Sequence, residues 1–128
     1  MITRRLSMAG GLLAGTLLLV ACSQPHRGVS FKQEVRPILD NHCAECHTPP
    51  NGEGYVKSGL SLTSYQELMN GTKFGPVVKP GDSFTSALIM LVEGRADPSI
   101  QMPHGKKPLS KQEIQTLKTW VDEGAKDN

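Results

Sequence analysis

The stretch Asp40-Asn41-His42-Cys43-Ala44-Glu45-Cys46-His47-Thr48 decides how this chain reads. Two cysteines three positions apart, with a histidine directly after the second, form the C-x-x-C-H pattern that attaches a c-type haem. The spacing has a physical reason. Thiols at that separation can meet the two vinyl groups on one edge of a porphyrin and form thioethers, and the adjoining imidazole can then swing under the iron. Other uses of the pair fit less well. Structural zinc wants a second Cys or His pair, and only scattered histidines remain. A thioredoxin-like dithiol needs a strand before it, which Asp40-Asn41-His42 does not follow. A short-loop disulfide suits an oxidising compartment. The chain has three cysteines; the third, Cys22, has a separate use described below, so haem consumes the remaining two.

A sixth ligand to the iron is sought downstream. A Met–His pair raises the reduction potential of haem iron, and Met69, Met90 and Met102 are candidates. Met69 falls on a short helix too close to the first ligand. Met90 lies inside the apolar run Leu88–Val92 and reads as a core filler. Met102 sits in an irregular segment ahead of Pro103, whose ring stiffens the backbone, and is favoured. His104 is its rival and would make a bis-histidine site. His26 and His42 read as incidental.

Around this centre the pattern is helical. Ser30 is a plausible N-cap for Phe31, Val35, Ile38 and Leu39, which recur at helical spacing up to Cys43. Pro37 either opens a second short helix or kinks the first. Residues 48–59, rich in Pro, Gly and Asn, read as a loop. Ser64 and Glu67 form a capping box for a short helix ending at Gly71. Lys73–Gly81 is a further loop. Asp82 or Ser83 can cap a helix carrying Ala87, Leu88, Leu91 and Val92 and stopped by Gly94. Arg95–Pro108 is irregular. Ser110 and Glu113 make a second capping box, and the last helix puts Ile114, Leu117 and Val121 on one face with Trp120 beside them. No period-2 strand and no internal repeat is present. The expectation is an all-α fold with long loops, organised by a buried prosthetic group.

The first 21 residues are read apart from the fold. Arg4 and Arg5 precede an apolar run, about Leu12 to Ala21, too short to span a bilayer, which takes roughly 20 apolar residues. It reads as a signal-peptide core. Its end, Leu19-Val20-Ala21-Cys22, resembles the lipobox of bacterial lipoprotein precursors. That resemblance implies cleavage before Cys22 and diacylglycerol on its thiol, with a short tether over residues 22–29 and one domain over residues 30–128. One acyl chain holds a membrane only marginally; the three of a mature lipoprotein suffice. Arg4 and Arg5 are also the source of the formal +2 charge. Without them Lys and Arg fall from 14 to 12, equal to the 12 acids. No basic stripe with interleaved aromatics points to nucleic acid. A domain of this size buries a modest fraction of its surface and often needs a cofactor to stay folded.

With these residues placed, the chain resembles planctomycete-type cytochrome c domains, within the class I cytochrome c group. The resemblance rests on Phe31, Val35-Arg36-Pro37-Ile38-Leu39, Cys43–His47, Gly59-Leu60-Ser61-Leu62, Lys79-Pro80-Gly81-Asp82-Ser83, Ser86-Ala87-Leu88, Met102-Pro103, Leu109-Ser110 and Trp120–Ala125. It implies a class I-like fold of about four short helices around one covalent haem c, with His47 and Met102 as axial ligands. It also implies single-electron transfer between redox partner proteins, as a carrier rather than an enzyme or as a subunit of an oxidoreductase. Combined with the lipobox, it places the protein in the bacterial cell envelope, periplasm-facing and anchored to the inner or outer membrane. Two other classes compete: a haem-based peroxidase or gas-sensor subunit, which needs an open iron position, and a zinc-stabilised structural lipoprotein. His47 is expected to donate its second ring N–H to a carbonyl of the Thr48-Pro49-Pro50 segment, and Trp120 to pack on the first helix.

Overall fold

The structure, a computed structural model, describes residues 27–128. The leader, Cys22 and His26 therefore lie outside the described residues. The fold is all-α, as the sequence patterning predicts. Among the described residues five helices occur, α1 (Arg36–His42), α2 (Glu53–Ser58), α3 (Tyr65–Asn70), α4 (Ala87–Val92) and α5 (Lys111–Asp122). The nearest approach to a strand is an isolated bridge between Thr72 and Gly75. No helix among them is long and apolar enough to cross a membrane.

The N-terminal run begins as expected. Ser30 Oγ accepts from Gln33 N–H, and Phe31–Val35 forms one wide π-helical turn before α1. Pro37 explains the change of pitch: it sits in the first turn of α1, where a missing N–H costs nothing. The wider turn before it carries its bonds one residue further back, with Val35 N–H on Ser30 O and Arg36 N–H on Phe31 O.

The segment 48–59 departs from expectation, because it contains α2. That helix buries no apolar side chain, so no periodicity announced it. Its ends hold it instead. Gly52 caps the start, Lys57 pairs with Glu53 four residues before it at 2.6 Å, and Gly59 turns out of the helix with φ +78°, a left-handed conformation that glycine adopts freely. Three smaller corrections follow. Ser64 makes its half of the expected capping box, accepting from Glu67 N–H. The cap of α4 is Ser86 rather than Asp82 or Ser83. The irregular stretch 95–108 holds one 3-10 turn, Pro98–Ile100.

Residues 79–86 are a turn that seats α4 against α5. Ser86 is fully buried; its hydroxyl accepts from Lys79 N–H at 2.8 Å and donates to the Asp82 carbonyl at 2.8 Å. The turn grips α5 through Gly81 N–H on Val121 O, at 2.7 Å, and through Ser83, whose N–H and hydroxyl both donate to the Asp122 carboxylate.

The frame of the molecule is α5 crossed on the N-terminal turn. The capping box at Ser110 and Glu113 is complete. Leu117, Trp120 and Val121 are buried, and Ile114 packs at the edge. The Trp120 ring lies 5.5 Å from that of Phe31, which stands edge-on to Tyr65 at 5.1 Å. Both polar handles are satisfied on the chain end: Trp120 Nε1–H donates to Lys126 O and the Tyr65 hydroxyl to Ala125 O. The chain end is tied in turn to the beginning of the described chain, with Lys32 N–H on Asn128 O and Val29 N–H on Glu123 Oε2.

Trp120→Ala empties the centre of this frame. In the haem-loaded protein it is expected to cost about 3–5 kcal/mol, read by denaturant unfolding followed by circular dichroism. Trp120→Phe keeps the contact with Phe31 and is expected to cost clearly less. Equal losses would mean that the hydrogen bond, and not the packed ring, carries the stability.

Candidate cofactor cleft

The motif that opened the sequence reading is a turn on the end of α1. Cys43 and Ala44 N–H groups both bond back to Leu39 O, and Cys46 and His47 N–H groups to Cys43 O. The next segment folds back over this turn: Tyr55 N–H reaches Cys46 O and Leu62 N–H reaches His47 O, each at 2.9 Å. Gly52 permits the approach. A Cβ there would stand 2.5 Å from Cys46 O and 2.6 Å from Thr48 O, closer than atoms can come.

His47 is 8% exposed. Its Nδ1–H donates to the Leu60 carbonyl at 3.4 Å, and not to the Thr48-Pro49-Pro50 segment as the sequence suggests. Those residues run into the turn before α2, whereas the segment after α2 returns past the ring. Donation from Nδ1 leaves the Nε2 lone pair for a metal. Burial lowers the His47 pKa, and the Leu60 bond opposes this weakly, so the ring is held neutral, the form that ligates. Gly54 lies flat against it: a Cβ there would come within 2.6 Å of Cε1 and 2.7 Å of Nε2.

Cys43, Cys46 and His47 share a cleft of about 390 Å³, within the usual range for cofactor sites. Leu60, Leu62, Val77, Leu88, Leu91 and Val92 make its walls apolar, and Met102, Pro103 and His104 also line it. Phe74 and Ile100 stand on its rim, 82% and 51% exposed. The structure thus sorts the sixth-ligand candidates. Met102 and His104 are on the cleft wall; Met69 and Met90 are not. Met69 packs against the hydrophobic core, while Met90 is only half-buried on α4. The Met102 segment is held by its N–H on Leu91 O at 3.2 Å, and by Lys106, which pairs with Glu45 inside the motif. His104 lies close enough to Glu53 to add to the lowering of its pKa, after the larger effect of Lys57.

Burial, reinforced by neighbouring Cys46 and opposed by Lys106, pushes the Cys43 thiol up to about 11, so without a bound group it is held as the thiol. The two cysteines are unpaired. Among the described residues no group of three His, Cys, Asp or Glu side chains is placed to hold a metal ion. An apolar cleft lined by two thiols, one neutral imidazole and a thioether sulfur suits haem c.

His42, set aside as a ligand, has a structural contact. Its Nε2 meets Glu113 Oε1 at 2.8 Å, joining the residue before the first thiol to the start of α5. The two are 71 positions apart, so no local pattern signalled the contact.

Residues 43–104 match the family model of planctomycete cytochrome c. A solved structure, Kuenenia stuttgartiensis hydrazine synthase, is similar at 27% identity and a TM-score of 0.51, over 77% of this chain. The match spans 16% of that much longer chain. No curated protein matches.

The Ser110 backbone and hydroxyl, then His42, hold the Glu113 carboxyl down at about 2, against an ordinary value of 4.5. A depressed acid stabilises the fold above its unfolded pKa, and this contribution is lost as pH falls toward the folded value. Glu113→Gln keeps an amide oxygen to accept from Ser110 N–H but removes the charge, and is therefore expected to cost about 0.5 kcal/mol near neutrality, the usual worth of an acid at a helix N-terminus. The gap from wild type should close between pH 4.5 and 2, measured by urea unfolding across that range.

Proposed function

We propose that this chain, whose residues 43–104 carry the planctomycete cytochrome c pattern, is a mono-haem electron carrier of the bacterial cell envelope. One observation carries the reading. One apolar cleft is lined by Cys43, Cys46 and His47 and also by Met102, from far along the chain. Haem c bound there supplies a one-electron ferric–ferrous couple. Cys43 and Cys46 hold it through thioethers, so it cannot be lost outside the cytoplasm. His47 and Met102 would hold its iron, which would leave no open iron position for a substrate. This favours a carrier over a peroxidase or gas sensor. The apolar walls keep water from the centre, and the exposed rim leaves an edge open to a redox partner protein. The likeness to part of a hydrazine synthase chain is consistent with service as a redox module beside, or within, an oxidoreductase.

His104 carries the second reading, because it shares the wall with Met102; a bis-histidine centre would have a lower potential. Attachment to a membrane rests on Leu19-Val20-Ala21-Cys22, with Cys22 as the acylated residue and the inner or outer membrane as the surface.

The exported protein is expected to retain a haem stain on a denaturing gel and to lose it in Cys43→Ser/Cys46→Ser. In the reduced wild type, carbon monoxide should leave the spectrum unchanged. Met102→Ala should abolish the far-red ferric band of Met ligation and open the iron to carbon monoxide; an unchanged low-spin spectrum in that variant moves the ligand to His104. A colourless protein defeats the proposal.

Cys22→Ser is expected to move the protein from the membrane fraction to the soluble fraction and to abolish incorporation of a labelled fatty acid. Membrane retention in that variant would mean that the leader itself is the anchor.

A further inference from the structure

Two contacts fix the His47 imidazole, and one side chain joins them. Gly54 lies against the ring face, where any Cβ would collide. Leu60 accepts the Nδ1 proton. Between them stands Ser58, the last residue of α2 and part of the cleft lining. Its hydroxyl donates to the Gly54 carbonyl at 2.6 Å and accepts from Leu60 N–H at 3.1 Å. One oxygen thus ties the residue that sets the plane of the ring to the residue that holds its proton.

We infer that Ser58 is a positioning residue for the proximal histidine, acting through Gly54 and Leu60 to set the orientation and donor strength of His47. The inference rests on His47 as an iron ligand. A hydrogen bond from the far nitrogen of a ligating imidazole raises its basicity, and a more basic ligand favours the ferric state. A hydroxyl is suited to the task because it donates and accepts at once; alanine can do neither. Without the tie, the left-handed turn at Gly59, φ +78°, keeps only its backbone bonds, Gly59 N–H on Tyr55 O and Lys73 N–H on Ser58 O. The Leu60 carbonyl can then move off Nδ1.

Gly54 bears on the same point. Alanine normally improves a helical glycine site, so Gly54→Ala should strengthen α2. In this position its methyl group instead strikes the ring, and the ligand rather than the helix records the change.

The test uses haem-loaded protein. Ser58→Ala is expected to raise the reduction potential and shift the hyperfine-displaced proton signals of the His47 ring. Ser58→Thr, which keeps the hydroxyl, should restore both toward wild type. Gly54→Ala should move the ring signals, whereas Val56→Ala, exposed on the same helix, should not. In the unmodified protein the Ser58 hydroxyl and His47 Nδ1 protons should both exchange slowly with solvent; rapid exchange of either overturns the inference, whatever the variants do. Ser58→Ala with wild-type haem content, unshifted potential and unshifted ring signals also overturns it. A preparation without covalent haem defeats the carrier reading instead, so the two failures are separable.

Discussion

The interaction on which the structure depends is the contact of one short, nearly coreless helix with the turn that ends α1. Helix α2 contributes nothing to the hydrophobic core, yet its first turn closes over Cys46 and His47 and its last turn hands the chain to Leu60. A buried imidazole without such partners would be a desolvated polar group in an apolar wall. Here it is packed on one face and hydrogen-bonded on one edge, leaving one nitrogen uncommitted. Two glycines make this possible, since side chains at positions 52 and 54 would occupy the space of the motif itself.

The rest of the fold serves as a rigid mount. Helix α5 grips both halves of the cleft: its capping residue Glu113 meets His42 beside the first thiol, and its last turn holds the 79–86 turn that carries α4. Leu91 of α4 then supplies the carbonyl that positions Met102. The two walls of the slot are therefore referred to one helix, and their separation is a property of the core rather than of the loops. In a chain this small, with 5% aromatic residues, stacking Phe31, Tyr65 and Trp120 at one point concentrates the available packing where it controls that separation.

Features made by neighbours in sequence were legible, and features made across the chain were not. The Ser30 cap, the Ser110–Glu113 box, the apolar face of α5 and the role of Trp120 follow from local patterns with known geometry. Helix α2 was hidden because it is stabilised by its ends and its docking, while the visible signal was a density of Pro, Gly and Asn that ordinarily marks loops. The Leu60 partner of His47 and the Glu113 partner of His42 come from 13 and 71 positions away; backbone carbonyls and isolated acids give no pattern to read. Among four candidates for the distal position the sequence already favours Met102, with His104 as its rival, from the irregular segment before Pro103; the fold puts those two, and neither Met69 nor Met90, on the cleft lining.

The pairing of Lys32 with Asn128 has an architectural consequence. Lys32 and Asn128, close to the first and last described residues, are joined by one backbone hydrogen bond of 3.0 Å. A unit with adjoining ends can be spliced into a surface turn of a host protein with little distortion of either. It also takes tension as a clasp does: a pull on the two ends loads that bond and its neighbours first, before any strain reaches the cleft.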